Sequence, residues 1–116
     1  MSDSIEKLIH EWRSCIPEYS QAKAQAEYLR EFRKSKKAIL MVEAEQKGVK
    51  TGQEREAYAY SHKDYQELLS GLKEAVELSE SLKYRMIIAE KRVDIWRTNS
   101  ANNRREQTMY GANNGH

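Results

Sequence analysis

An apolar repeat that runs without a slip through the second half of the chain constrains its fold more than any other feature. Between Tyr65 and Trp96, the repeat advances in alternating steps of three and four residues. Its members are Tyr65, Leu68, Leu72, Ala75, Ser79, Leu82, Met86, Ala89, Val93 and Trp96. Heptad spacing of this kind places all of these side chains on one face of an α-helix, and that face requires a partner helix. We call this set the first seam.

The N-terminal half supplies the partner. Apolar residues recur at helical spacing from Ile5 to Ile16 and predict a short helix over about residues 4–16. Pro17 is expected to end it, since proline lacks a backbone N–H. A second helix is predicted over about residues 18–47. It has two apolar lines, one of Tyr28, Phe32, Ile39 and Val42 and one of Ala22, Ala26, Leu29 and Leu40.

The stretch KGVKTGQE, residues 47–54, separates the two arms. A phosphate-binding loop would need G-x-x-x-x-G-K-[ST] between a strand and a helix, and here the Lys-Thr pair precedes the second glycine. Gly48 instead suits the left-handed position that ends a helix, and Thr51 with Glu54 fits a capping box. The sequence therefore predicts a turn over 48–51 and one helix over about 52–98.

A short turn between two long helices predicts antiparallel neighbours. With the turn near residue 50, the numbers of facing residues add up to about 100, so Lys36 is expected to pair with Asp64 and Arg33 with Glu67. The predicted fold is all-α: a long, coiled-coil-like antiparallel helical hairpin with a short N-terminal helix. Residues 1–106 form the single domain. Residues 107–116, rich in Asn and Gly, are expected to form a flexible or disordered tail.

Composition limits the classes of function. The chain has 116 residues, a net charge of +2 and one cysteine, Cys15. The three histidines, His10, His62 and His116, share no metal-ligand spacing, and Cys15 has no candidate catalytic partner. We expect no metal, no cofactor and no enzymatic activity. The absence of a signal-peptide layout and of a long apolar run predicts a cytoplasmic protein in the host cell, with no membrane association.

Two polar clusters are candidates for contact with nucleic acid or a partner, because basic side chains neutralise phosphates. The first consists of Arg33, Lys34, Lys36 and Lys37, which also face an acidic arm and can serve the fold instead. The second, which has no acidic partner segment, consists of Arg97, Asn99, Asn102, Asn103, Arg104 and Arg105.

Large aromatic side chains exceed what a two-helix seam can cover. Trp12, Tyr60 and Trp96 are therefore predicted to lie at an interface, either with further copies of the chain or with a partner. Self-association into a homo-oligomer would bury the apolar surface that the hairpin leaves uncovered.

Residues 54–106, EREAYAYSHKDYQELLSGLKEAVELSESLKYRMIIAEKRVDIWRTNSANNRRE, resemble small helical proteins of tailed bacteriophages. The overall layout over about residues 25–106 is also similar to the T4-type phage recombination mediator. Trp96, Arg97, Arg104 and Arg105 contribute most to the likeness. That family is oligomeric, binds single-stranded DNA and helps to load a recombinase.

The resemblance implies a non-enzymatic phage accessory protein of DNA recombination or replication, acting as an oligomeric mediator that binds single-stranded DNA and protein. The alternative is a pure protein-binding module. A phage inhibitor of a host nuclease or defence complex, or a coiled-coil adaptor, would have the same sequence pattern.

Overall fold

The computed structural model describes residues 4–114, with side chains to Met109, and this range is helical apart from its turns. Helix α1 spans Ile5–Gln46, α2 spans Gly52–Ser61 and α3 spans Lys63–Asn114. Residues 4–114 contain no strand. The predicted all-α class is confirmed. The helices contribute to two compact units, a turn unit of residues 18–81 and a terminal unit built from residues up to 17 and from 82 onward.

Gly48 ends α1 as predicted. Its φ is +90°, in the left-handed region that glycine adopts without strain. The backbone N–H of Gly48 donates to Glu45 O at 3.0 Å, and that of Val49 donates to Ala44 O at 3.0 Å. These are the two bonds of a Schellman motif. Thr51 then caps α2, because its Oγ1 accepts from the Glu54 N–H at 3.1 Å.

The turn unit is an antiparallel hairpin in the predicted register. The Lys36 ammonium lies 3.6 Å from the Asp64 carboxylate. A methyl of Leu29 lies 3.9 Å from where a side chain on Gly71 would begin. Both pairs have numbers that add up to 100. The predicted pair of Arg33 with Glu67 is wrong, since Glu67 lies 3.8 Å from the Lys63 ammonium on its own helix.

Small residues of α1 form the interior of the turn unit. Ala22, Ala26 and Ala44 are buried, and Leu40 packs with Ala59 and Tyr65 in one cluster. The other apolar line of α1 lies on the surface. Its members are Tyr28, Phe32, Ile39 and Val42. The physical reason is size, because alanines allow two helix backbones to approach closely where aromatic rings would hold them apart. We call the exposed line the outer row.

The terminal unit pairs the start of α1 with the C-terminal part of α3. Leu8 and Cys15 of α1 are buried here, as are Leu82, Ala89 and Val93 of α3. The Arg92 guanidinium donates to the Glu11 carboxylate at 3.4 Å. Every member of the first seam, in either unit, is buried or half-buried, so that prediction is confirmed.

The predicted break at Pro17 is wrong, because α1 continues through it. Proline leaves the carbonyl of Arg13 without its helical donor. Both Arg13 and Pro17 are exposed, so water can satisfy that carbonyl. The two predicted N-terminal helices are therefore one.

A break after Ser61 divides the helix that was predicted over about residues 52–98. His62 has an extended backbone, with ψ 139°, and closes α2 while opening α3. Its Nδ1 accepts from the Asp64 N–H at 3.0 Å, and the Gln66 side chain donates to Tyr60 O at 2.6 Å. These side-chain bonds replace the helical bonds that the break removes.

Helix α3 also ends later than the predicted boundary near Thr98. Between Thr98 and Tyr110 there is no Gly or Pro to stop it. The hydroxyls of Thr98 and Thr108 donate to the carbonyls of Asp94 and Arg104, at 3.1 and 2.9 Å. Flexibility of residues 107–116 stays a prediction: residues 107–114 are helical, and 115–116 lie outside the described range.

Val93→Ala is expected to lower the free energy of unfolding by about 1–3 kcal/mol, since Val93 has no exposed surface and its loss leaves a cavity. Leu78→Ala is the control on the same helix, because Leu78 is 54% exposed, and its effect should stay within about 0.5 kcal/mol. Urea denaturation followed by circular dichroism measures both. Equal effects would contradict the assignment of the seam.

Pro17→Ala is expected to raise the free energy of unfolding by about 1–3 kcal/mol, because it restores a helical hydrogen bond in the interior of α1. Gain of unfolded-state freedom offsets part of this stabilisation. The same urea titration measures the change. A neutral or destabilising result would show that the chain is not helical through residue 17.

Candidate nucleic-acid and partner interface

Positive charge is concentrated in the C-terminal part of α3. Residues 82–114 hold seven Lys and Arg side chains against three acidic ones. Residues 18–81, the turn unit, hold eleven against twelve. The small net charge of the whole chain therefore conceals a basic helical segment, which is the part best suited to an anionic ligand.

The basic cluster of Arg33, Lys34, Lys36 and Lys37 is engaged in the fold. Lys36 pairs with Asp64, as described above, and Lys34 lies 3.3 Å from Glu31. The Lys37 ammonium lies 3.2 Å from the Glu56 carboxylate, and Arg33 is half-buried. This cluster therefore has acidic neighbours that compete with an added phosphate.

Tyr60 completes a contact with Lys37. The ammonium lies 4.8 Å from the centre of the tyrosine ring, within range of a cation–π interaction. The hydroxyl of Tyr60, followed by the Glu56 carboxylate, raises the pKa of Lys37 above its ordinary value. The same ring meets Tyr65 edge-on at 5.4 Å and stays 41% exposed. Tyr60 therefore has an exposed part that a partner could contact, while its ring also contacts Lys37 and Tyr65 of its own chain.

Trp12 and Trp96 are both half-buried residues of the terminal unit. Trp96 belongs to the first seam, so much of its indole serves the fold. Both side chains are partly exposed, and their role at an interface stays a prediction.

The second polar cluster lies on an open stretch of α3. Because Glu11 pairs with Arg92, the first described residue, Ser4, lies opposite about residue 99. All residues from 101 to 109 are exposed. Helix α3 therefore continues past the described part of α1.

Helical geometry divides this cluster into separate faces. Arg97 and Arg104, seven residues apart, share one face, whereas Asn99, Asn102 and Asn103 share another. Arg105 adjoins Asn102, and Arg97 lies 3.8 Å from Asp94 on its own helix. The sequence cluster is thus not a single flat surface. The cluster suits electrostatic contact with a flexible polyanion better than sequence-specific recognition of nucleobases.

Three further basic residues belong to this segment and were not among the predicted contact residues. Lys83, Arg85 and Lys91 are exposed and form no ion pair within the part of the chain that the structure describes. The excess of bases over acids after residue 82 is the sequence signal that could have identified them.

Two surface grooves are each lined by side chains of a single helix. One lies on α1 beside His10, and the other on α3 beside Gly71. Within residues 4–114, no three His, Cys, Asp or Glu side chains converge as a metal site would require. No helix in that range combines the length and apolar character needed to cross a membrane.

Comparisons with protein-family models, with curated proteins and with solved structures find no match for this chain.

Proposed function

We propose that this chain is a non-enzymatic accessory protein that binds single-stranded DNA through the C-terminal part of α3 and acts together with a protein partner. The observation that supports the proposal most directly is the excess of seven bases over three acids in residues 82–114. Exposed bases on a helix neutralise phosphates and release counterions whatever the sequence of the nucleic acid.

A single strand fits this surface better than a rigid duplex. The Lys and Arg side chains of α3 lie on more than one face of the helix, and a flexible strand can wrap around the helix to reach them. Phage DNA recombination or replication, in a host-cell cytoplasm, is the context that the sequence resemblance suggests. In that context an oligomeric mediator would hold a strand for a recombinase.

The second candidate is a pure protein-binding module, such as an inhibitor of a host nuclease or defence complex or a coiled-coil adaptor. The outer row of α1 favours it. Tyr28 is 61% exposed, Ile39 55% and Val42 53%, and the rings of Tyr28 and Phe32 stack at 5.9 Å. An apolar line on a helix is the surface that a partner helix covers.

Reversing three charges of α3 is expected to weaken binding of a labelled oligothymidylate at least about tenfold, because three phosphate contacts are lost. The variant combines Arg97→Glu, Arg104→Glu and Arg105→Glu. Wild-type affinity should fall roughly 20-fold between 50 and 200 mM salt if three phosphates are neutralised. Fluorescence anisotropy measures both quantities.

The matched control changes the net charge equally within the turn unit, by Arg30→Glu, Lys50→Glu and Lys73→Glu. These three residues are exposed, and the change should weaken binding far less. Equal losses in the two variants, or wild-type binding that withstands high salt, would sink the assignment of the site. No binding at low salt would favour the second candidate, in which Phe32→Glu should abolish capture of a host protein.

A further inference from the structure

A second heptad repeat lies on α3 opposite the first seam. Its members, again in alternating steps of four and three, are Tyr84, Ile88, Lys91, Ile95, Thr98 and Asn102. Each of them is an exposed residue. Tyr84 lies two residues from Leu82 and from Met86 of the first seam, which is about 200° of helical rotation. We call this set the second seam.

Substantial apolar surface remains uncovered there. Tyr84 is 61% exposed, Ile88 56% and Ile95 60%, and the neighbouring Ile87 is 37% exposed. Single exposed apolar residues are ordinary, but a line of them at heptad spacing is the pattern of a coiled-coil face. All of them belong to the terminal unit, whose buried side chains point the other way.

We propose that a second copy of this chain covers the second seam, with the two α3 helices parallel. Residue types along the seam favour that occupant. Ile88 and Ile95 take the positions at which β-branched residues favour parallel two-stranded coils. Asn102 takes the next equivalent position, where a pair of asparagine amides fixes the register of such dimers.

Flanking charges favour the parallel orientation. Arg85 and Arg92 lie on one side of the second seam, and Asp94 lies on the other. In a parallel pair, the side with Arg85 and Arg92 in one copy faces the side with Asp94 in the other. An antiparallel pair centred on Lys91 would instead set the two Arg92 side chains against each other. Arg92 keeps its bond to Glu11 in either case, since its side chain is half exposed.

The seam also predicts a weak dimer. Lys91 interrupts the apolar line between Ile88 and Ile95, and its ammonium must extend to the edge of the interface. Arg105 occupies the next step after Asn102, so like charges end the paired stretch there.

Parallel pairing brings two copies of residues 97–105 to the same end of the dimer. The dimer itself requires no nucleic acid.

Sedimentation equilibrium without DNA is the test. The wild-type chain should dimerise with increasing concentration, and Ile88→Glu should weaken the dimer at least about tenfold. Ile39→Glu is the matched control: the same residue type, 55% exposed, on α1. It should leave the dimer unchanged. Lys91→Leu should strengthen the dimer at least about tenfold by removing the charge from the seam.

Orientation is tested by disulfide formation in a Cys15→Ala background. Two copies of Thr98→Cys lie side by side in a parallel dimer and should crosslink on mild oxidation. In an antiparallel pair centred on Lys91, they would lie about 21 Å apart, beyond the reach of a disulfide. Circular dichroism confirms that each variant is folded.

A monomer at every concentration, no crosslink through Thr98→Cys, or sensitivity to Ile39→Glu instead of Ile88→Glu would overturn the proposal. A wild-type chain that dimerises but does not bind DNA would overturn only the proposed function.

Discussion

Close approach of helix backbones across the first seam is the constraint on which the rest of the structure depends. Where α1 presents Ala22, Ala26 and Ala44, the opposing helix can lie near enough to bury Tyr65 and Ser79. The same approach brings a methyl of Leu29 to 3.9 Å from where a side chain on Gly71 would begin. Because two helices have only one such surface in common, every other apolar side chain stays outside it. The outer row and the second seam are consequences of that geometry.

Local sequence signals were sufficient for the turn and the register. Gly48 favours the left-handed position that ends a helix, and Thr51 favours the N-cap that begins one. Both residues take these positions. The heptad steps of the first seam identified its buried face residue by residue. The choice between the two apolar lines of α1 could not be made from periodicity, since both have helical spacing. Side-chain size decided it, and size matters only once a second helix is placed against the first.

Helix ends were predicted less well because single residues were treated as decisive. Pro17 does not break α1, since its cost is limited where the freed carbonyl faces water. His62 breaks the second arm although histidine is not a usual terminator, because its ring caps the Asp64 N–H. The candidate contact residues from Arg97 to Arg105 lie on α3, and their role in contacts stays a prediction. Their division among faces of α3 follows from a helix that continues to Asn114, which the sequence did not indicate.

The exposed apolar residues and the Arg- and Asn-rich stretch occupy successive parts of α3, and this arrangement links the two proposals. Before about residue 99, one face of the terminal unit's part of α3 serves the fold and the opposite face remains apolar. After it, the described helix continues past the described part of α1, and its exposed side chains are mostly polar. A helix of that length gains little stability from local interactions alone. Its stability therefore depends on what it contacts, and an Arg- and Asn-rich surface on which Met109 is the one exposed large apolar residue among the described side chains gains most from a polyanion. Pairing through the second seam would place two such segments within reach of one strand, so that modest single contacts add by avidity.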